Sequence, residues 1–161
     1  MSAGVFVGIG YDVHRFAAGN SLVLGGVHLE FHLGLEGHSD ADVLAHALAD
    51  ALLGAAGQPD IGHFFPNTDP SFRGISSLEI LRHVDGILRS AGFKVHNADC
   101  TVIAEQPKIS PYLDAMKKAL GGAIRTDPLR VGIKATTNET LGFLGRGEGI
   151  AAFAVVSLVK G

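Results

Sequence analysis

Apolar residues recur along the chain with two periods, and the switches between them lay out a mixed α and β fold. Val5, Val7, Ile9, Tyr11 and Val13 alternate with small or polar positions, which predicts a strand over 5–16. Leu22-Val23-Leu24 and the run from Val27 to Phe31 flank Gly25-Gly26, a turn dipeptide between apolar runs, and predict a hairpin. The period then lengthens: Val43, Leu44, Ala47, Leu48, Ala51 and Leu52 repeat at three and four residues, so one helix face is core. Ser39 suits the N-cap of that helix, Asp40 and Asp42 suit its first turn, and Gly57 ends it. Ser76-Ser77-Leu78-Glu79 is a capping box that opens a second helix, which turns Ile80, Leu81, Val84, Ile87, Leu88 and Ala91 inward and stops at Gly92. Lys94 to Ala104 reads as a strand, Ser110-Pro111 as the start of a helix to Leu120, and Arg130 to Thr136 as another strand. Ile150 to Val159 is apolar on both faces, which predicts a strand covered on both sides, by helices on one and by another subunit on the other. From Gln58 to Ser77 neither period holds, and that segment is either an ordered functional loop or a mobile one.

Composition narrows the class. A chain of 161 residues fits a single domain over 1–161 with a substantial core. Hydrophobic content is 47% but charged content only 18%, below the usual ~25%, so part of the surface is expected to lie against another subunit. Net charge is −3, and Lys and Arg are scattered without a basic stripe, which argues against a nucleic-acid partner. Cys100 is the only cysteine; an internal disulfide is excluded, a reducing compartment is expected, and a buried inert thiol is the better reading of its strand position. No stretch is long and apolar enough to span a membrane, and no signal peptide is visible.

The candidate chemistry starts on the first strand. Asp12 and His14 point away from its apolar face, ~7 Å apart. Gly8 and Gly10 leave that same face bare just before them. Asp42, His46 and Asp50 fall four apart along the helix. They form either a solvated edge or a ligand stripe, with His46 on a metal and Asp50 orienting its ring. Asp60, Asn67, Thr68 and Asp69 can hydrogen-bond a polyol, and they are also ordinary turn residues. Lys108, just before a helix N-terminus, can hold a phosphate or sit in solvent. Hydroxyls and a carboxylate follow the strand end at Thr136, Thr137 and Glu139. Gly145, Gly147 and Gly149 alternate with Arg146 and Glu148, which reads equally as a glycine-rich turn carrying an ion pair.

Five segments together carry a resemblance: Gly10 to His14, Gly37 to Leu48, Asp60-Ile61-Gly62, Phe65 to Pro70, and Lys134 to Ile150. They resemble the 2-C-methyl-D-erythritol 2,4-cyclodiphosphate synthase family of the non-mevalonate isoprenoid pathway, over essentially the whole chain. The resemblance implies an α+β fold, a single mixed sheet with helices on one face. It implies a homotrimer with sheets facing the three-fold axis and active sites between subunits, in a bacterial cytoplasm. Asp12, His14 and His46 would bind a divalent ion, usually zinc. His38 and Ser39 would contact the substrate beside Asp12 and His14, with His38 steadying the reacting phosphate and Thr137 sharing the catalytic role. Asp60, Ile61 and Gly62, with Phe65, Pro66, Asn67, Thr68 and Asp69, would hold the methylerythritol. Ala104, Glu105, Gln106, Pro107, Lys108, Ile109 and Ser110 would form the cytidine pocket with Thr136, Thr137 and Asn138. Glu139 would help hold a second ion, magnesium or manganese, on the substrate diphosphate, and Phe143, Arg146 and Glu148 would line an axial cavity that takes an isoprenoid diphosphate. The family loop most often has Asp where this chain has Asn67, and smaller or neutral residues where it has Glu105-Gln106.

The reaction so implied is intramolecular: the 2-phosphate attacks the distal phosphorus of the cytidine diphosphate, and cytidine monophosphate leaves. It asks for alignment and charge stabilisation rather than a protein nucleophile. Two rival readings remain at this level. Two His and one carboxylate also describe a non-haem iron oxygenase, and the Arg146 region alone would suit a non-catalytic carrier of isoprenoid diphosphates.

Overall fold

The computed structural model describes residues 4–161. A long first strand, β1 (Val5–Ala17), is followed by the short strands β2 (Leu22–Leu24), β3 (Val27–Leu29) and β4 (Gly34–Leu35). Helix α1 (Val43–Ala55), the single turn α2 (Ile61–Phe64) and α3 (Ser77–Ser90) lead to β5 (Phe93–Ile103). Helix α4 (Leu113–Ala123), β6 (Val131–Thr136), the turn α5 (Gly142–Gly145) and β7 (Gly149–Lys160) complete the order. The main sheet runs β4-β1-β7-β5-β6; β5 and β6 are parallel and the other neighbours antiparallel, so the sheet is mixed as expected. β2 and β3 pair as a separate hairpin through Gly25 and Gly26, at φ 56° and 74°. Two successive positive φ values match the twist of a two-residue turn, and glycine supplies them without a Cβ clash.

Helices cover one face of the sheet. α1 lies against β1 so closely that a Cβ on Gly8 would come 2.1 Å from the Ala51 carbonyl oxygen, and one on Gly10 1.9 Å from that of Ala47. The two glycines therefore seat the small-residue face of α1, rather than opening an approach to Asp12 and His14. Leu44, Leu48, Leu52 and Leu53 from α1, Leu81 and Leu88 from α3, and Met116 and Leu120 from α4 complete the core with Val102, Ile150 and Leu158 of the sheet. The other face is bare: Val5, Val7, Ile9, Tyr11 and Val13 of β1 stand beside Phe153 and Val155 of β7, with Ile9 68% exposed. Contiguous exposed apolar surface of this kind marks an association face. The last strand is thus covered on only one side within this chain.

Local differences have physical causes. The first helix begins at Val43 and not after Ser39, because Ala41 takes φ 57° and turns the chain. Asp42 is the N-cap, accepting Ala45 N–H, and it is fully buried rather than part of a solvated stripe. The unpatterned stretch after Gly57 is ordered by α2 and by a 3-10 turn at Pro70–Phe72, each capped by an aspartate. A 3-10 turn at Ser110–Tyr112 takes the Pro111 start expected of the third long helix, which begins at Leu113. Cys100 is buried, and burial pushes its thiol up to about 12, so it is inert.

Candidate functional site

The chemistry collects where β1 meets α1. Asp12 and His14 share the face of β1 that receives the helix, and His46 reaches them from the second turn of α1. Asp12 Oδ2 lies 2.9 Å from His14 Nε2 and 3.2 Å from His46 Nδ1, and the three ligand atoms all fall within 4.8 Å of one another. Among the described residues this is the group of His, Asp and Glu side chains spaced to hold a metal ion. The state of the rings supports the fit. His14 Nδ1 faces the Glu36 carbonyl oxygen at 2.8 Å. A carbonyl only accepts, so Nδ1 carries the proton and, in the neutral ring, Nε2 is bare. That Nε2 is buried and has no hydrogen-bond partner, although it faces a carboxylate oxygen. Two lone-pair atoms brought together this way are what a cation between them satisfies. Two imidazoles and one carboxylate suit zinc and leave a coordination position open.

Charge is tuned here. Burial raises the Asp12 carboxyl, but the His14 and His46 rings beside it outweigh that and hold it at about 2. Burial disfavours the charged form of His14, but the Asp12 carboxylate outweighs that and raises it. Asp12 is therefore ready to ligate at neutral pH, and protons compete with a metal for His14.

A cavity of about 270 Å³ opens beside the cluster, lined by Asp12, His14, Gly37, His38, Ser39, His46, Ile61, Gly62, Phe65, Asn67, Phe72, Ile75 and Ile80. The structure thus brings His38, Ser39, Ile61, Gly62, Phe65 and Asn67 together with Asp12, His14 and His46. Asp60, Pro66, Thr68 and Asp69 do not line it. Asp60 caps α2 through His63 N–H and Asp69 caps the turn at Pro70–Phe72, so the turn role accounts for both. Asp50 accepts Ile61 N–H at 2.9 Å and does not orient His46. The groups that do face His46 Nε2 are Ser39 Oγ at 3.0 Å and Ser77 Oγ at 2.9 Å. Ser77 was legible only as part of a capping box; no local pattern links it to a residue 31 positions away.

A second cavity of about 660 Å³ is lined by Phe31, Ala104 to Ser110, Ala135, Thr136 and Thr137. The Ala104 to Ser110 segment and the threonines expected with it are therefore together. This cavity shares no lining residue with the one at the metal cluster. Glu105 accepts the N–H groups of Asn138 and Thr140 at 3.1 and 3.0 Å, fastening a loop in which Glu139 and Thr140 take φ 51° and 61°. Glu139 is exposed there, in no acidic or imidazole cluster among the described residues. Phe143 lines a third cavity with Val13 to Phe16, and Arg146 pairs with Glu148 at 2.7 Å beside it.

Comparison with known proteins agrees with this geometry. The profile of the YgbB family matches residues 5–159. A 2-C-methyl-D-erythritol 2,4-cyclodiphosphate synthase of Akkermansia muciniphila is 60% identical over 94% of this chain and 90% of its own. The bifunctional IspDF of Campylobacter jejuni superposes with a TM-score of 0.95 at 42% identity, covering 99% of this chain, which spans 43% of that longer one. IspF of Plasmodium falciparum, solved as a CDP complex, gives a TM-score of 0.85 at 31% identity over 99% of both chains.

Proposed function

This chain belongs to the YgbB family, that of the 2-C-methyl-D-erythritol 2,4-cyclodiphosphate synthases, and from that premise we propose how its residues carry out that reaction. The substrate is 4-diphosphocytidyl-2-C-methyl-D-erythritol 2-phosphate. An oxygen of the 2-phosphate forms a bond to the distal phosphorus of the diphosphate; the bond from that phosphorus to the cytidylyl oxygen breaks; cytidine monophosphate leaves with the electron pair. The product is the 2,4-cyclodiphosphate, and the enzyme is a phosphorus–oxygen lyase of isoprenoid biosynthesis.

The observation that carries the reading is the Asp12, His14 and His46 cluster opening into a cavity rimmed by His38, Ser39 and Asn67. Zinc bound there supplies Lewis-acid charge and a template for the reacting phosphates. His38 and Ser39 steady the attacked phosphate. Ile61, Gly62, Phe65 and Asn67 position the methylerythritol, so that folding the substrate is largely complete before reaction. Asp60 and Asp69 cap the turns that carry that wall, with Pro66 and Thr68 between them. The Ala104 to Ser110 segment with Thr136 and Thr137 takes the cytidine, Lys108 and Thr137 facing its phosphates. Asn138 belongs to the same pocket, and Glu139 would help hold a second, magnesium-type ion on the diphosphate, since hard cations favour carboxylate and phosphate oxygen.

Because the metal cavity and the Lys108 cavity share no lining residue, we place each active site between two copies of a homotrimer. The exposed apolar face of β1 and β7 supports this, as a surface for the three-fold axis. Phe143, Arg146 and Glu148 then line an axial space suited to an apolar tail with a charged head, such as an isoprenoid diphosphate. Residues 1–161 act as one domain in a bacterial cytoplasm; no helix among the described residues is long and apolar enough to cross a membrane. His46→Ala is the test. It should release bound zinc and abolish turnover in a folded protein, because two ligands hold zinc poorly. Normal turnover without metal in this variant sinks the assignment.

A further inference from the structure

Glu105 lines the cavity of about 660 Å³ beside Lys108 and Thr137. A carboxylate is an awkward neighbour for phosphates, since like charges repel. Its oxygen is engaged elsewhere. Glu105 Oε1 accepts the N–H groups of Asn138 at 3.1 Å and of Thr140 at 3.0 Å, which lie 33 and 35 residues along the chain.

Those two amides flank Glu139. Glu139 and Thr140 take φ 51° and 61°, a left-handed backbone that residues with a Cβ keep only where neighbours hold them. Glu105 is one such hold. Gly145 is the other: a Cβ on it would lie 2.1 Å from the Thr140 carbonyl carbon, so α5 packs directly on the turned backbone. The loop is clamped between the cavity wall and α5.

The turn has a consequence for Thr137. Its Oγ1 accepts Glu139 N–H at 3.2 Å. That bond fills a lone pair and leaves the hydroxyl proton to donate into the cavity that Thr137 lines. A phosphate oxygen only accepts, so this is the polarity it needs, and a bond to an ionised acceptor is a strong one. With the Asn138 and Thr140 amides released, Glu139 would relax to negative φ. Its N–H would then leave Thr137 Oγ1, and the hydroxyl would lose its set direction.

We propose that Glu105 is a positioning residue for nucleotide binding: it fastens the Asn138 and Thr140 amides and, through that loop, presents the Thr137 hydroxyl to the phosphates. The effect on binding rests on the reading of this cavity as the nucleotide site; the fastening does not.

Two variants separate the accepting oxygen from the charge. Glu105→Leu keeps the bulk and removes the acceptor, while Glu105→Gln keeps an accepting oxygen and removes the charge. Amide hydrogen exchange by NMR should show Asn138 and Thr140 protected in wild type and in Glu105→Gln. Glu105→Leu should lose that protection while the amides of β5 and β7 keep theirs. Calorimetric titration without added magnesium reads the nucleotide contacts apart from any ion at Glu139. CDP should bind Glu105→Leu about tenfold more weakly than wild type, the factor expected when about one loop in ten stays in the binding geometry. Glu105→Gln should bind CDP as wild type does. Cytidine, which has no phosphate for Thr137 to meet, should bind wild type and Glu105→Leu alike. If Glu105→Leu does not fold, Glu105→Ala, which adds no bulk, carries the same comparison. Wild-type CDP affinity in the variant without the acceptor overturns the proposal. So does equal loss of CDP and cytidine, which would make Glu105 part of the base pocket. So does a Glu105→Gln as weak as Glu105→Leu, which would make the charge the active feature. Failure of the nucleotide reading looks different: wild type binds neither compound, and the role in binding falls with it, while exchange at Asn138 and Thr140 still follows Glu105.

Discussion

Asp42 accepts the backbone N–H of Gly25 at 2.9 Å, which fastens the first turn of α1 to the β2–β3 turn. The same buried carboxylate accepts Gly26 N–H at 2.7 Å and Ala45 N–H at 3.0 Å. Asp42→Ala removes a helix cap and strands three donors, so a loss of at least about 2 kcal/mol is expected by urea unfolding. Burial pushes the Asp42 carboxyl up to about 6 against the pull of those N–H groups. Its folded value lies above the unfolded 3.8, so protonation favours the fold. The stabilisation is full below about pH 4 and declines as pH rises to about 6. The gap between wild type and Asp42→Ala should accordingly be wider at pH 4 than at pH 6.5. An equal or reversed gap contradicts this.

Gly10→Ala tests the seat of α1. The added methyl would lie 1.9 Å from the Ala47 carbonyl oxygen, which is backbone and cannot swing away. Overpacking of this kind costs about 1–3 kcal/mol or more. Because Ala47 adjoins His46, zinc affinity should fall with stability. Unchanged melting and unchanged zinc uptake would show that the glycine serves some other purpose.

The sheet, its helices and the cluster of Asp12, His14 and His46 were legible because each rests on local period or on a short motif: alternation in β1, three-and-four spacing in α1, Asp12-x-His14. The start of α1 was not, because Ser39, Asp40 and Asp42 all have capping chemistry and only the tertiary bonds from Gly25 and Gly26 select Asp42. Gly8 and Gly10 read as open space beside a ligand pair, since nothing in the strand announces the helix that packs there. Ser77 and Asp40 hydrogen-bond across 37 residues, and no periodicity joins them.

A charge on the bare face should prevent assembly. Ile9 stands 68% exposed among Val7, Tyr11 and Val155, so Ile9→Asp should leave a folded single chain. Light scattering should give wild type three times the chain mass of 16.7 kDa and the variant that mass alone. A wild-type monomer refutes the trimer.

Sharing of the site between chains has its own test. His46→Ala and Thr137→Trp should each be inactive. Unfolded and refolded together in equal amounts, they should regain about a quarter of wild-type activity, because random assembly places an intact metal cluster against an intact pocket at that frequency. Mixed trimers that stay inactive would put each site within one chain.

The most direct measurement is phosphorus NMR of the zinc- and magnesium-loaded protein with 4-diphosphocytidyl-2-C-methyl-D-erythritol 2-phosphate. Signals of the cyclic diphosphate and of cytidine monophosphate should grow in equal amounts, and neither should appear with His46→Ala. Unchanged substrate signals, or release of inorganic phosphate in place of ring closure, would contradict it.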